Sequence, residues 1–93
     1  MSYEIVEDKK AIRFMDKIDD DEELSNRIKK QYKKLSENPY KYAEESFYSN
    51  KCHKCKKTRV GDYRIIYYVN ESLNIVQIID IDHRKKIYKK WDR

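Results

Sequence analysis

The stretch "TRVGDYRIIYYV", from Thr58 to Val69, contains the only glycine of the 93-residue chain. Gly61 and Asp62 separate two runs rich in β-branched and aromatic residues, and Gly-Asp between such runs is a hairpin signal. A two-residue turn of this kind needs a positive φ at its first central residue, which glycine adopts without strain. The stretch therefore predicts an antiparallel β-hairpin whose second strand covers residues 63–69.

The second strand of this hairpin has two chemically different sides. Side chains alternate along a strand, and the side that we predict faces the core carries Tyr63, Ile65, Tyr67 and Val69. Arg64, Ile66 and Tyr68 point to the other side. The tight turn brings Lys57 and Arg59 of the preceding strand close to Arg64, and Arg84 follows the last predicted strand. We therefore expect a cluster of cations with exposed side chains on an open face of the sheet.

The residues before the hairpin predict one strand and two helices. Residues 3–6 form a short β-prone run, and Asp8 can cap a helix over residues 8–18, where apolar residues recur at helical spacing. The acidic run at 19–23 favours the start of a second helix over residues 21–37. Asn38-Pro39 ends that helix. Because the link between the two helices is short, they should form an antiparallel hairpin.

The other segments complete a single α+β domain over residues 1–93 with the order β-α-α-β-β-β. Residues 40–50 lack a clear period, although Phe47 or Tyr48 could fill part of the core. The first strand of the β-hairpin is expected from residue 51, and a third strand over 74–81. The tail from residue 82 is too charged for the core. The helical hairpin then covers one face of a small, mostly antiparallel sheet, and the other face stays partly open.

Charge is distributed unevenly along the chain. Residues 1–50 carry 10 Lys/Arg and 12 Asp/Glu, a net charge of −2, whereas residues 51–93 carry 12 Lys/Arg and 5 Asp/Glu, a net charge of +7. Such an excess is expected of a surface that binds a polyanion, and a solvated lysine-rich surface is the alternative. No apolar run approaches the ~18 residues of a membrane span. The N-terminus is unlike a signal peptide, so we expect no membrane association and a cytoplasmic location.

The two cysteines form the motif "CHKC", Cys52 to Cys55. A structural zinc site would need a second ligand pair, which the sequence does not offer, and a thioredoxin-like motif would need a surrounding βαβ pattern. We therefore expect a reduced, metal-free pair on a strand, where residues three apart point to opposite faces. Neither thiol is expected to be essential.

Three segments together resemble the RelE/ParE superfamily of toxins from toxin–antitoxin pairs: "NPYKY" after a helix, "RVGDYRIIY" in the middle and "IDHRKKIY" near the end. The resemblance covers nearly the whole chain. It implies a RelE-type mRNA interferase, a cofactor- and metal-independent endoribonuclease that cuts the message in the ribosomal A site. It also implies a small, acidic, RelB-like antitoxin as partner.

The resemblance assigns four catalytic positions, which in this chain are Lys57, Arg64, Arg84 and Tyr88. A second strand lysine of the family aligns with Cys55, which is a departure. Lys54 or Lys56 could compensate, although strand parity makes Lys56 a poor substitute. The further residues expected to contact RNA are Lys54, Lys56, Arg59, His83, Lys85 and Lys86.

The chemistry of RNA cleavage suits such residues, because RNA carries its own nucleophile, the 2′-OH. Lys57 would act as the base if neighbouring cations favour its neutral form. Arg64 would clamp phosphate oxygens with its planar fork. Arg84 would stabilise the leaving oxygen, and His83 is a rival proton donor. Tyr88 would stack on a base or orient the 2′-OH.

Three other functions are compatible with the same sequence. A ParE-like protein would share the fold and inhibit DNA gyrase. A non-catalytic nucleic-acid-binding module would use the basic half without cleaving. A degenerate toxin would keep only the ability to bind an antitoxin, and the departure at Cys55 keeps that alternative open.

Overall fold

The computed structural model describes residues 2–44, 49 and 51–91 of the chain. Its elements, in order, are β1 (Glu4–Glu7), α1 (Lys9–Lys17), α2 (Glu22–Glu37), β2 (Lys56–Val60), β3 (Tyr63–Asn70), β4 (Ile75–His83) and α3 (Arg84–Trp91). This confirms the predicted β-α-α-β-β-β order, to which the structure adds a C-terminal helix.

The four strands form one sheet in the order β1-β4-β3-β2. β1 pairs with β4 in parallel, while β4–β3 and β3–β2 are antiparallel. The sheet is therefore mostly antiparallel, as predicted. β3 is a central strand, and β2 forms one edge.

Two reasons favour glycine in the turn between β2 and β3. Gly61 has φ = +57°, as the hairpin signal predicted. In addition, a Cβ atom on Gly61 would lie only 2.6 Å from the Nη2 atom of Arg27 on α2. The sequence pattern revealed the first reason, whereas the second depends on how α2 packs against the turn.

The two N-terminal helices begin differently. Asp8 precedes α1, but its side chain makes no capping hydrogen bond; its Oδ1 atom instead accepts one from Gln77 Nε2 at 2.8 Å. At the start of α2, Asp21 Oδ1 accepts a hydrogen bond from the Leu24 N–H at 3.1 Å. The acidic run thus caps α2, as expected. None of the helices in the described ranges has the length and apolarity that crossing a bilayer requires.

The main core lies between the sheet and the hairpin of α1 and α2. Ile65 and Tyr67 of β3 are fully buried there, and Tyr63 and Val69 pack against the same cluster. All four were predicted to face the core. Tyr67 also donates a hydrogen bond from its hydroxyl to the Pro39 carbonyl at 2.5 Å, which satisfies its polar group inside the core.

A second core lies on the opposite face of the sheet, where we predicted an open surface. Helix α3 buries Ile87 and Trp91 against Cys55 and Ile66. The prediction that the tail is too charged for the core was therefore wrong. Ile87 and Trp91 are four residues apart and lie on one side of the helix, so Lys89 between them can remain in water.

The segment before β2 also differs from the prediction. The strand begins at Lys56 instead of residue 51, and Cys52 and Cys55 precede it. The two cysteines form a disulfide, so the expectations of a reduced pair and of a strand location were both wrong. A turn brings the two side chains together, whereas a strand would have pointed them apart. Phe47 and Tyr48, the proposed core residues, lie outside the described residues.

Candidate active site

The register of the β2–β3 hairpin places three of the predicted cations on one face of the sheet. Lys57 pairs with Ile66, and Arg59 pairs with Arg64. Directly opposed residues of antiparallel strands project to the same side. Lys57, Arg59 and Arg64 therefore share the face on which α3 packs.

Arg64 is buried, which contradicts the expectation that its side chain is exposed. Its Nη1 atom donates hydrogen bonds to the carbonyls of Gly61 at 3.0 Å and Tyr63 at 2.9 Å. Its Nε atom lies 3.3 Å from Oε1 of Glu44. The side chain turns back on its own hairpin because the turn offers carbonyl acceptors and Glu44 offers a countercharge.

Lys57 is also buried, and it contacts Tyr88 of α3. The Nζ atom lies 4.9 Å from the centre of the Tyr88 ring, a cation–π distance. It also lies 3.9 Å from Glu44 Oε1. Tyr88 itself remains 42% exposed, so its ring is accessible to a ligand. The structure thus brings together two residues that are 31 positions apart in the sequence.

Arg84 reaches the same hairpin through its backbone. Its N–H donates a hydrogen bond to the Asp62 carbonyl at 2.8 Å, which fixes the first residue of α3 at the turn. The Arg84 side chain is exposed, as expected. Consecutive turn carbonyls, those of Gly61 and Asp62, therefore hold both arginines: one binds the Arg64 guanidinium, and the other binds the Arg84 backbone.

His83 lies on the other side of the sheet from Arg64. It pairs with Tyr63 in the β3–β4 register, and the two rings meet edge to face at 5.5 Å. Its Nδ1 atom accepts a hydrogen bond from the Lys85 N–H at 3.3 Å, which satisfies a donor in the first turn of α3. This position suits a helix cap better than a proton donor to the cation cluster.

The remaining candidate RNA contacts are dispersed. Lys56 pairs with the core residue Tyr67, so it points away from Lys57, and its Nζ lies 5.3 Å from the Tyr40 ring centre. This placement agrees with the expectation that Lys56 is a poor substitute for a family lysine. The exposed candidates are Lys54, Arg59, Lys85 and Lys86.

Cys55, which aligns with the second strand lysine of the RelE family, lies in apolar surroundings in this chain. Cys55 is buried against Ile66 and α3 and is bonded to Cys52. A lysine ammonium here would lie among apolar side chains, at a desolvation cost. Within the residues that the structure describes, no three His, Cys, Asp or Glu side chains are grouped to hold a metal ion.

Glu44 is the site residue that the sequence analysis missed. Its N–H donates a hydrogen bond to the Lys57 carbonyl at 2.7 Å, which holds its carboxylate beside Lys57 and Arg64. Glu44 lies in a stretch without periodicity, so no pattern predicted its position. The only signal was an acidic residue shortly before a strongly basic strand.

A second charged cluster joins α3 to β4. Lys90 Nζ lies 2.9 Å from Asp80 Oδ2 and 3.1 Å from Asp82 Oδ2. Partial burial alone would raise the pKa of Asp82, but the His83 N–H and the Lys90 ammonium outweigh it and hold that pKa below its usual value. Burial alone would lower the pKa of Lys90, but hydrogen bonds to both carboxylates raise it overall.

The sequence matches the family model described as the ParE toxin of the type II toxin–antitoxin system parDE over residues 5–88. The chain belongs to the RelE/ParE superfamily of type II toxins. It is therefore the toxin component of a type II toxin–antitoxin pair. No curated protein matches its sequence significantly.

Solved structures of RelE toxins share the fold of this toxin. The Mycobacterium tuberculosis toxin–antitoxin complex RelBE2 contains a chain with a TM-score of 0.74 and 21% identity, covering 90% of this toxin and 100% of that chain. The structure of a mutant E. coli toxin RelE in the free state has a TM-score of 0.72 and 20% identity, covering 99% of this toxin and 96% of that chain. The archaeal RelE–RelB complex from Pyrococcus horikoshii contains a chain with a TM-score of 0.66 and 21% identity, covering 90% of this toxin and 97% of that chain.

Proposed function

We propose that this toxin is a cytoplasmic, ribosome-dependent endoribonuclease that cuts mRNA in the A site. The observation that carries the proposal is the convergence of Arg64, Arg84, Lys57 and Tyr88. The two turn carbonyls hold the arginines together, and the Lys57 ammonium lies against the Tyr88 ring. These four residues come from three different elements, and Tyr88 and Arg84, four residues apart on α3, are the exposed members that a phosphodiester can reach.

The proposed reaction is transesterification within the RNA strand. The 2′-oxygen bonds to the adjacent phosphorus, and the bond from phosphorus to the 5′-oxygen breaks. The 2′-OH proton passes to a base, for which Lys57 is the candidate, and the 5′-oxygen takes a proton from water as it leaves. Arg64 and Arg84 stabilise the charge that develops on the phosphorane and on the leaving oxygen. Tyr88 stacks on a base beside the cut.

A small, acidic, RelB-like antitoxin is the proposed partner. Two of the structures that share this fold are complexes: the toxin–antitoxin complex RelBE2 and the RelE–RelB complex. The net charge of +7 over residues 51–93 favours an acidic partner and would speed association. Co-expression should give one complex in size exclusion. High-level recovery of free, fully active toxin from growing cells would count against this partner.

A translating extract with breakpoints mapped by primer extension tests the activity. Wild-type toxin should cut the message, whereas the Arg84→Ala variant should lose about 100–1000-fold in rate. Lys33→Ala, which removes one exposed positive charge from α2, is the matched control and should cut normally. A message with a 2′-deoxy sugar at the cut position should survive. Normal cutting by the Arg64→Ala, Arg84→Ala double variant would contradict the proposal.

Tyr88 allows a further test in the same extract. Tyr88→Phe keeps the ring that contacts Lys57, whereas Tyr88→Ala removes it. If the ring stacks on a base, the Phe variant should retain more activity than the Ala variant. Equal loss in both would assign the role to the hydroxyl.

Inhibition of DNA gyrase is the second candidate function, because the matching family model is named for ParE. A supercoiling assay with purified gyrase separates the two. Gyrase inhibition without message cleavage would replace our proposal.

A further inference from the structure

One carboxylate lies against both buried cations of the candidate active site. Oε1 of Glu44 is 3.3 Å from Arg64 Nε and 3.9 Å from Lys57 Nζ. The exposed fraction of the side chain is 6% for Arg64, 10% for Lys57 and 31% for Glu44. The two cations therefore have little free surface, and the carboxylate is the most accessible member of the group.

The contact between Arg64 and Glu44 is incomplete. Although Arg64 Nε lies within ion-pair distance of the carboxylate, it is buried and makes no hydrogen bond to any described residue. A buried N–H donor without an acceptor is costly, and such cases in native proteins need an explanation. An acceptor with better alignment, such as a phosphate oxygen, would satisfy this donor through a charge-assisted hydrogen bond.

We propose that Glu44 is an internal competitor for the RNA phosphate and that substrate binds only when its side chain moves aside. This inference rests on the proposed function, because it assumes that Arg64 and Lys57 contact the scissile phosphate. Carboxylate and phosphate oxygens satisfy the arginine fork in the same way. In the free toxin the Glu44 carboxylate occupies that place, which weakens the binding of any other anion.

The backbone around Glu44 confines this movement to the side chain. The Glu44 N–H is bonded to the Lys57 carbonyl, and the Thr58 hydroxyl donates to the Tyr42 carbonyl at 2.7 Å. These two bonds hold the segment along the edge of β2. The carboxylate can swing outward by side-chain rotation while both bonds remain intact, so the exchange needs no unfolding of the edge.

Titration with inorganic phosphate, followed through the Arg64 Nε–H resonance in ¹⁵N NMR, tests this role without a ribosome. Glu44→Gln keeps the size of the side chain and removes its charge, so phosphate should shift the Arg64 resonance at about tenfold lower concentration than in wild type. Glu37→Gln, which removes an exposed charge at the end of α2, is the matched control. It should titrate like wild type.

Two results would overturn the inference: equal phosphate affinity of Glu44→Gln and wild type, or an equal gain in Glu37→Gln, which would reduce the effect to net charge. If Glu44→Gln does not fold, Glu44→Asp provides the test. Its carboxylate is one methylene shorter, so phosphate should again bind more tightly than in wild type, and unchanged affinity would be contrary. Tighter phosphate binding without message cleavage would contradict the endoribonuclease and leave the competitor role supported.

Discussion

The indole Nε1 of Trp91 donates a hydrogen bond of 2.9 Å to Oδ2 of the buried Asp80, and so joins the last turn of α3 to β4. The same oxygen lies 2.9 Å from Lys90 Nζ. A buried carboxylate is stable only with such partners. The docking of α3, which brings Tyr88 to Lys57, therefore depends on one carboxylate beneath the helix.

Replacing this carboxylate should loosen α3. Asp80→Asn removes the charge that Lys90 pairs with, and we expect a loss of about 1–3 kcal/mol in the free energy of unfolding. Urea denaturation measures it, and the emission of Trp91, the only tryptophan, reports the helix directly. Asp16→Asn, an exposed change on α1, is the control. Unchanged stability and emission in Asp80→Asn would contradict the anchoring role.

The Lys90 cluster should also give stability a defined pH dependence. The folded-state pKa of Asp82 lies below its ordinary value of 3.8, so its contribution is complete above that pH and is lost as the pH falls through the lowered pKa. The folded-state pKa of Lys90 lies above 10.5, so its contribution is complete below that pH and is lost as the pH rises through the raised pKa.

We therefore expect this cluster to add a constant stability between about pH 4 and pH 10.5 and to lose it at both extremes. Urea midpoints measured across the pH range check this. Lys90→Gln should reduce the loss of stability at alkaline pH. Near neutrality it should lower the free energy of unfolding by only about 1 kcal/mol, since the ammonium is partly screened by water. If Lys90→Gln loses as much stability at alkaline pH as wild type, that loss comes from groups other than Lys90.

Gly61→Ala should destabilise the hairpin by about 1–2 kcal/mol, because alanine is strained at a φ of +57°. Arg27 should add little to this cost, because its guanidinium, 2.6 Å from the new Cβ, is the tip of an exposed side chain that can move aside. In a double-mutant cycle with Arg27→Ala, the cost of Gly61→Ala should therefore change by less than about 0.5 kcal/mol. A larger fall would assign part of the cost to contact with Arg27.

The two arginines should differ in their effect on stability. Arg84→Ala should unfold within about 0.5 kcal/mol of wild type, because the side chain is exposed. Arg64→Ala should cost about 1–3 kcal/mol, since it leaves the Glu44 carboxylate and two turn carbonyls without their partner. Thermal melts of both variants beside wild type measure the difference. Equal melting temperatures for the two variants would be inconsistent with a buried, paired Arg64.

The disulfide should stabilise the toxin only slightly, because Cys52 and Cys55 are three positions apart and close a very short loop. For such a loop the chain-entropy model gives about 2 kcal/mol. The Cys52→Ser, Cys55→Ser double variant should therefore fold and lose no more than that in urea denaturation. Wild type treated with a dithiol reductant should lose a similar amount. Failure of the double variant to fold would show an essential structural role.

The sequence alone determined most of the backbone plan. Local signals act over a few residues, so Gly61-Asp62 predicted the turn, Asn38-Pro39 predicted the end of α2, and alternation predicted that Ile65 and Tyr67 face the core. Order along the chain and strand parity also predicted that Lys57 and Arg64 share a face. These inferences need only the geometry of one element or of two adjacent strands.

Only the tertiary structure decided what surrounds those cations. The sequence did not predict helix α3, because the segment is rich in lysine and two apolar residues four apart are a weak helical pattern. These two residues are buried only because Ile66 and Cys55 provide an apolar surface for them. Glu44 meets Arg64 through the edge of β2, a contact between residues 20 positions apart without any periodic pattern. Burial and ion pairing depend on which distant segments pack together. For that reason Lys57 and Arg64, predicted to be exposed, are buried and paired with a carboxylate, whereas Arg59 and Arg84 stay exposed.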